Sequence, residues 1–191
     1  MIFFYSGSKS PIGDQYNSDL SLGGWVSKTE IPNSDIANIF GKSTVQDILA
    51  KKRQLRLIVI QNTIEGDLMQ NSKVYVENTN TDIFSIKLAL VRPAYTQEEY
   101  PYFEKIKTEY SKPFQAVFSD SEGVDNAIDF GLDEGSRLGI WVMREFKETY
   151  LQELKLLNTK LQLTEKEILT LTTSNNLLEE VNFNFNLIIE F

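Results

Sequence analysis

Val181-Asn182-Phe183-Asn184-Phe185-Asn186-Leu187-Ile188-Ile189-Glu190-Phe191 is the stretch whose reading decides the fold. Val181, Phe183, Phe185, Leu187, Ile189 and Phe191 fall on one side of an extended chain. Asn182, Asn184, Asn186 and Glu190 fall on the other. Successive side chains of a strand point to opposite faces, so this period of two describes a half-buried antiparallel strand. A strand of this kind needs partners and an apolar layer to cover it.

Residues 1–146 supply them. Residues 2–5 form a first strand, stopped by Ser6-Gly7-Ser8, and 8–24 is loop, punctuated by Pro11, Gly13, Gly23 and Gly24. Trp25 and Val26 belong to a short strand. Asn33 or Ser34 caps a helical turn running to Phe40, and Ser43 caps another to Ala50, with Val45, Ile48 and Leu49 on one face. In 55–60, Leu55, Leu57 and Val59 alternate with Arg56, Ile58 and Ile60, which predicts a strand buried on both faces. Residues 73–77 and 83–91 are two strands joined by a turn over 78–82. A short helix is expected over 102–109, a strand over 114–118, and a long acidic loop over 119–135 with a strand near 127–130. Residues 138–146 form another strand, with Ile140, Val142 and Arg144 alternating with Trp141, Met143 and Glu145.

Residues 147–180 have another texture: Leu, Glu, Lys, Thr and Asn, with neither Gly nor Pro. Leu154, Leu161 and Ile168 fit one heptad register, and Tyr150, Leu157, Leu171 and Leu178 the other. Thr164-Glu165-Lys166-Glu167 has the form of a capping box. A hairpin turning over 158–164 is expected rather than one straight helix, because it returns the chain to where it left and lets 181–191 pair with 138–146. The fold class is therefore mainly β, an antiparallel β-sandwich of immunoglobulin-like or jelly-roll-like type, with a helical hairpin inserted before the last strand. Residues 1–146 and 180–191 form the sandwich, and 147–179 the insertion.

Composition limits the chemistry. The 191 residues include neither histidine nor cysteine. No disulfide, thiol nucleophile, imidazole base or Ser-His-Asp triad can be built, and neither can a zinc site of Cys and His ligands. Hydrophobic residues are 41% and charged residues 24%, enough for a core. The net charge of −8 repels phosphate backbones and anionic membranes, so neither nucleic acid nor membrane is an expected partner. No run approaches the ~18 apolar residues of a spanning helix. Met1-Ile2-Phe3-Phe4-Tyr5 lacks a basic leader and a small-residue cleavage site, so no secretory signal is expected.

Three motifs stand out. Gly41-Lys42-Ser43-Thr44 resembles the end of a phosphate loop, but Ile36 stands where the first glycine belongs, and capping of the next helix explains it better. Asp120, Glu122, Asp125, Asp129, Asp133 and Glu134 lack the spacing of a calcium loop and read as a solvated acidic segment. Lys51, Lys52 and Arg53, with Arg56 nearby, form the one basic run; a solvated edge explains it, and contact with an acidic neighbouring subunit is the functional alternative. No catalytic residue, metal, cofactor or small-molecule substrate is expected.

Leu20-Ser21-Leu22-Gly23-Gly24, then Ser27, Glu30-Ile31, Asn38-Ile39-Phe40 and 55–63, resemble a group of virion structural proteins of tailed bacteriophages. Leu138-Gly139-Ile140-Trp141-Val142-Met143-Arg144 matches a later strand of that group. The resemblance covers most of 1–146 and implies a β-sandwich that serves as a particle component; the helical insert departs from it. The expected function is a non-enzymatic structural subunit of a virion, in the neck or tail, assembled in the host cytoplasm. It would bind copies of itself and other virion structural proteins. Leu154, Leu157, Leu161, Ile168 and Leu171, with Lys51, Lys52 and Arg53, are the candidate interface residues. The alternative is a carbohydrate- or host-receptor-binding module in which Trp25 or tyrosines stack on sugars. A hydrolase using paired carboxylates is a third reading, but the sequence brings no two acids together.

Overall fold

Strand β4, Arg53–Gln61, is the axis of the molecule. Every residue from Gln54 to Ile60 in it is buried, so both faces carry apolar side chains, as its sequence predicts. The computed structural model describes residues 1–11, 13–37, 39–43, 48–50, 52–66, 69–78, 80–97, 99–168, 181–182 and 185–190. Antiparallel neighbours flank β4: β1, Ile2–Ser8, on one side and β11, Arg137–Phe146, on the other. Beyond β1 come β2 (Gly24–Glu30), β8 (Pro101–Phe103) and β7 (Ala94–Tyr95). Beyond β11 come β6 (Phe84–Val91) and β9 (Ser119–Asp120). These eight strands curl into a half-barrel.

Alternation sorts the side chains into two cores. Ile58, Ile60, Ile140 and Val142 face one, together with Ile86 and Leu88. Leu55, Leu57, Val59, Trp141 and Met143 face the other. Ile140-Trp141 thus spans both. A second sheet covers the first core: β10 (Ile128–Leu132), β5 (Met69–Glu77) and β13 (Asn186–Glu190). The second core is closed by the curl of the large sheet and by Leu22, Ile106, Ala116 and Phe118. The fold is mainly β, antiparallel and sandwich-like.

The last strand goes elsewhere than expected. It does not pair with 138–146, because β11 has β4 and β6 on its two edges and no third edge to offer. Instead β12, Val181–Asn182, pairs with β3, Lys42–Ser43, and β13 pairs with β5. Period two fixes which side chains share a face but not which strand lies alongside. Phe185 is buried against Phe40, with ring centroids 6.1 Å apart; Phe183 lies outside the described residues. The two strands expected over 73–77 and 83–91 form as β5 and β6, which lie in different sheets.

Two further expectations fail between β8 and β9. Neither the helix over 102–109 nor the strand over 114–118 forms. The backbone there finds distant partners: Ile106 N–H donates to the Leu22 carbonyl at 2.9 Å, and the Glu109 carbonyl accepts from Leu55 N–H at 2.6 Å. The segment lies along the part of β4 that β1 leaves uncovered, and these tertiary bonds replace an i to i−4 ladder.

After β11 the chain enters α2, Glu148–Ile168, having earlier formed the single turn α1, Asn33–Ile36. Helix α2 is unbroken through 158–164, so the hairpin turn expected there is absent. Leu157 and Leu161 sit a turn apart on a strong helix-forming run, and Thr164 continues the ladder rather than capping a new helix. Residues 169–180, where a second helix was expected to run, lie outside the described residues.

Candidate assembly surface

Helix α2 is built in two parts. Its base belongs to the body: Leu151 and Leu154 are buried in the first core, and Tyr150 stacks on Phe146 with centroids 6.3 Å apart. Burial raises the Tyr150 hydroxyl above its ordinary pKa, with the Glu153 carboxylate adding to the rise. Lys52, from the turn before β4, pairs with Glu148 at 3.7 Å, both largely exposed. One turn further on, Leu156 and Leu157 are 59% and 54% exposed. The helix is roughly 30 Å long at the α-helical rise.

The proposed interface residues are therefore divided. Leu154 packs inside and is not available to a partner, a correction with a simple cause: it lies one turn after Leu151, on the stripe that meets the sheet. Leu157 is exposed. Leu161 and Ile168 lie further along α2. Lys51 and Leu171 lie outside the described residues. Lys52 and Arg53 line a shallow depression of about 430 Å³ with Ala50, Tyr110 and Glu145.

A second exposed apolar segment sits between β8 and β9. Phe114 is 94% exposed, and Val117 and Tyr110 are also outside. The Glu104 carboxylate holds its bend by accepting from the N–H groups of Phe114 at 2.7 Å and Gln115 at 3.1 Å. Trp25 is half-buried, with Tyr102 edge-on at 4.8 Å between ring centroids.

The segment Leu20-Ser21-Leu22-Gly23-Gly24 is architectural. Ser21 is fully buried and its carbonyl accepts from Leu57 N–H at 2.7 Å. Ser6 Oγ donates to the Leu57 carbonyl at 3.0 Å, and Gly23 N–H donates to Ser6 Oγ at 3.2 Å. The Gln15 side-chain amide donates to the Ser6 carbonyl, its backbone N–H donates to Ser27 Oγ at 2.8 Å, and Ser27 Oγ donates to the Gln15 carbonyl at 2.9 Å. Gly23 is required because its φ is +84° and a Cβ would stand 1.9 Å from the Glu104 carbonyl oxygen. This polar knot locks the first loop against β4.

The acidic residues are dispersed. Glu122 accepts from Ile86 N–H at 3.1 Å and from Asn78 at 3.2 Å, and Glu134 accepts from Gly66 N–H at 2.9 Å. Asp120 lies opposite Lys87 and Asp129 opposite Lys73. Among the described residues no three acids are placed to hold a metal ion, and no helix is long and apolar enough to cross a membrane. At the phosphate-loop look-alike, Lys42–Ser43 is strand, and Ser43 Oγ accepts from Arg144 at 2.9 Å.

Sequence reasoning missed two residues, Arg56 and Arg144, both buried. Arg56 pairs with Asp19 and Glu109, each at 2.6 Å. Arg144 donates to Gln54 and Ser43. The signal was present: each arginine shares an apolar strand face, Arg56 with Ile58 and Ile60, Arg144 with Ile140 and Val142.

No protein-family model matches the chain, and no curated protein or solved structure shows significant similarity to it.

Proposed function

We propose that this protein is a non-enzymatic structural subunit of a tailed-phage virion, a neck or tail component held in the particle by protein–protein contacts. One observation carries the reading. Helix α2 is anchored by Leu151 and Leu154 and then presents Leu156 and Leu157 to solvent. An apolar pair on a long helix is stabilised once another surface covers it. The resemblance of 1–146 to virion proteins supplies the kind of partner: neighbouring virion subunits, with assembly in the host cytoplasm.

The test is complementation of a phage lacking the gene with a Leu156→Glu/Leu157→Glu double variant. The variant is expected to melt like the wild type but to be missing from purified particles. Normal incorporation would remove the helix from the contact. Absence of the wild-type protein from purified particles would end the virion reading altogether.

A further inference from the structure

We infer that the outer edge of β13 is a dimerisation edge, pairing antiparallel with β13 of a second copy about a two-fold axis through Ile188. The inference uses other residues than the helix contact and does not depend on the virion reading.

Edge strands expose unpaired backbone groups, and proteins ordinarily blunt them. The two outer strands of the large sheet, β7 and β9, are each two residues long. On the far side of the small sheet, β10 carries the charged Asp129, and Arg92 holds its Gly131 carbonyl at 2.6 Å. Among the described residues, β13 is protected at its ends, where Glu190 is charged and the preceding Phe185 N–H donates to the Ala37 carbonyl at 3.2 Å, but not along its middle. It is five residues long, Asn186-Leu187-Ile188-Ile189-Glu190, with three apolar residues in succession and neither Lys nor Pro. Among the described residues the only strand alongside it is β5.

Beneath this edge the sandwich is open. A groove of about 280 Å³ lies between the sheets, lined by Met1, Phe3, Ile36, Ala37, Leu187 and Ile189, with Asn186 at its rim. The side chains that line it are apolar apart from that amide. A strand added beside β13 would roof it, as in strand-addition recognition.

The sequence of β13 fits a second copy of itself. In an antiparallel pair, residues directly opposite share a face. With the axis at Ile188, Leu187 meets Ile189 of the second copy on the groove side. Ile188 meets its own symmetry mate on the outer side, where Tyr75 flanks it. Asn186 meets Glu190, so an amide donor faces a carboxylate that Tyr75 Oη already engages at 2.8 Å within its own chain. Moving the axis to Glu190 would oppose two carboxylates. Moving it to Leu187 would set Asn186 against Ile188. The contact is isologous and closes on itself.

The chain lacks cysteine, so Ile188→Cys introduces a single thiol on the axis. Under mild oxidation it should give a covalent dimer faster than Val117→Cys, a more exposed control. Sedimentation of the wild type should show a concentration-dependent dimer. Ile188→Lys should weaken it by at least ~10-fold while leaving the monomer folded, with the same melting temperature as the wild type at dilutions where both are monomeric, because the side chain lies on the outer face. A wild type that stays monomeric at every attainable concentration would overturn the inference. So would a dimer untouched by Ile188→Lys, or cross-linking of Ile188→Cys no faster than the control. If Leu157→Glu alone dissolved the dimer, the helix contact would stand and the β13 edge would fall.

Discussion

The Arg144 guanidinium lies over the Phe40 ring, its carbon 4.6 Å from the ring centroid. Phe146 at 5.1 Å and Phe84 at 5.9 Å complete an aromatic cage around a fully buried cation. The fork of the guanidinium reaches Gln54 and Ser43, so the same side chain joins β11, β4 and β3. Arg56 approaches the same Phe40 ring at 5.7 Å.

Removing the ring should therefore cost at least as much as an ordinary core truncation. Phe40→Ala is expected to lose about 3–5 kcal/mol in chemical denaturation, since it opens a cavity beside a charge. Arg144→Lys should cost more than Arg144→Met although it keeps the charge. A compact ammonium cannot span Gln54 and Ser43 or stack on three rings, whereas Met fills the space without a charge to desolvate. Equal effects of Lys and Met would mean that the charge is not felt.

Burial, with the neighbouring Arg56 adding to it and Glu109 opposing, lowers the Arg144 pKa to about 9. The unfolded chain holds that proton to a higher pH. Below about pH 9 the group is charged in both states and its contribution does not change with pH. Above it the folded state gives up the proton first, so the unfolded state binds more protons and this group's contribution to stability rises. The stability of the wild type relative to Arg144→Met should thus be flat around neutral pH and increase above about pH 9. Urea titrations of both proteins across that range measure it, and a falling difference would contradict the assignment.

Gly23→Ala should destabilise by more than ~2 kcal/mol, because a left-handed φ and a backbone clash act together. Gly66→Ala should cost only about 1–2 kcal/mol: its φ is +74°, but no atom lies within 4 Å of the added methyl. Melting curves of the two variants separate strain from clash.

Leu151→Ala and Leu154→Ala should each cost about 2–5 kcal/mol, and Leu157→Ala should stay within ~0.5 kcal/mol. Differential scanning calorimetry of the three decides it. A large loss at Leu157 would mean that the helix is covered within the monomer.

Much of the strand pattern was legible in the sequence, because the side-chain period of a strand is a local property. The double-faced burial of Arg53–Gln61, the two-core alternation of Arg137–Phe146 and the burial of Phe185 all follow from it. The exclusion of His and Cys chemistry needs only composition. Partnership is not local. That β13 joins β5 was decided by β11 having both edges occupied. The path of 104–118 was decided by backbone partners in β4 and the first loop. Leu154 and Leu157 have the same residue type and similar helical surroundings in sequence, yet only one meets the sheet. Arg56 and Arg144 sit visibly on apolar faces, but whether a cation there is buried depends on aromatic rings and carboxylates distant in the sequence, which only the tertiary structure assembles.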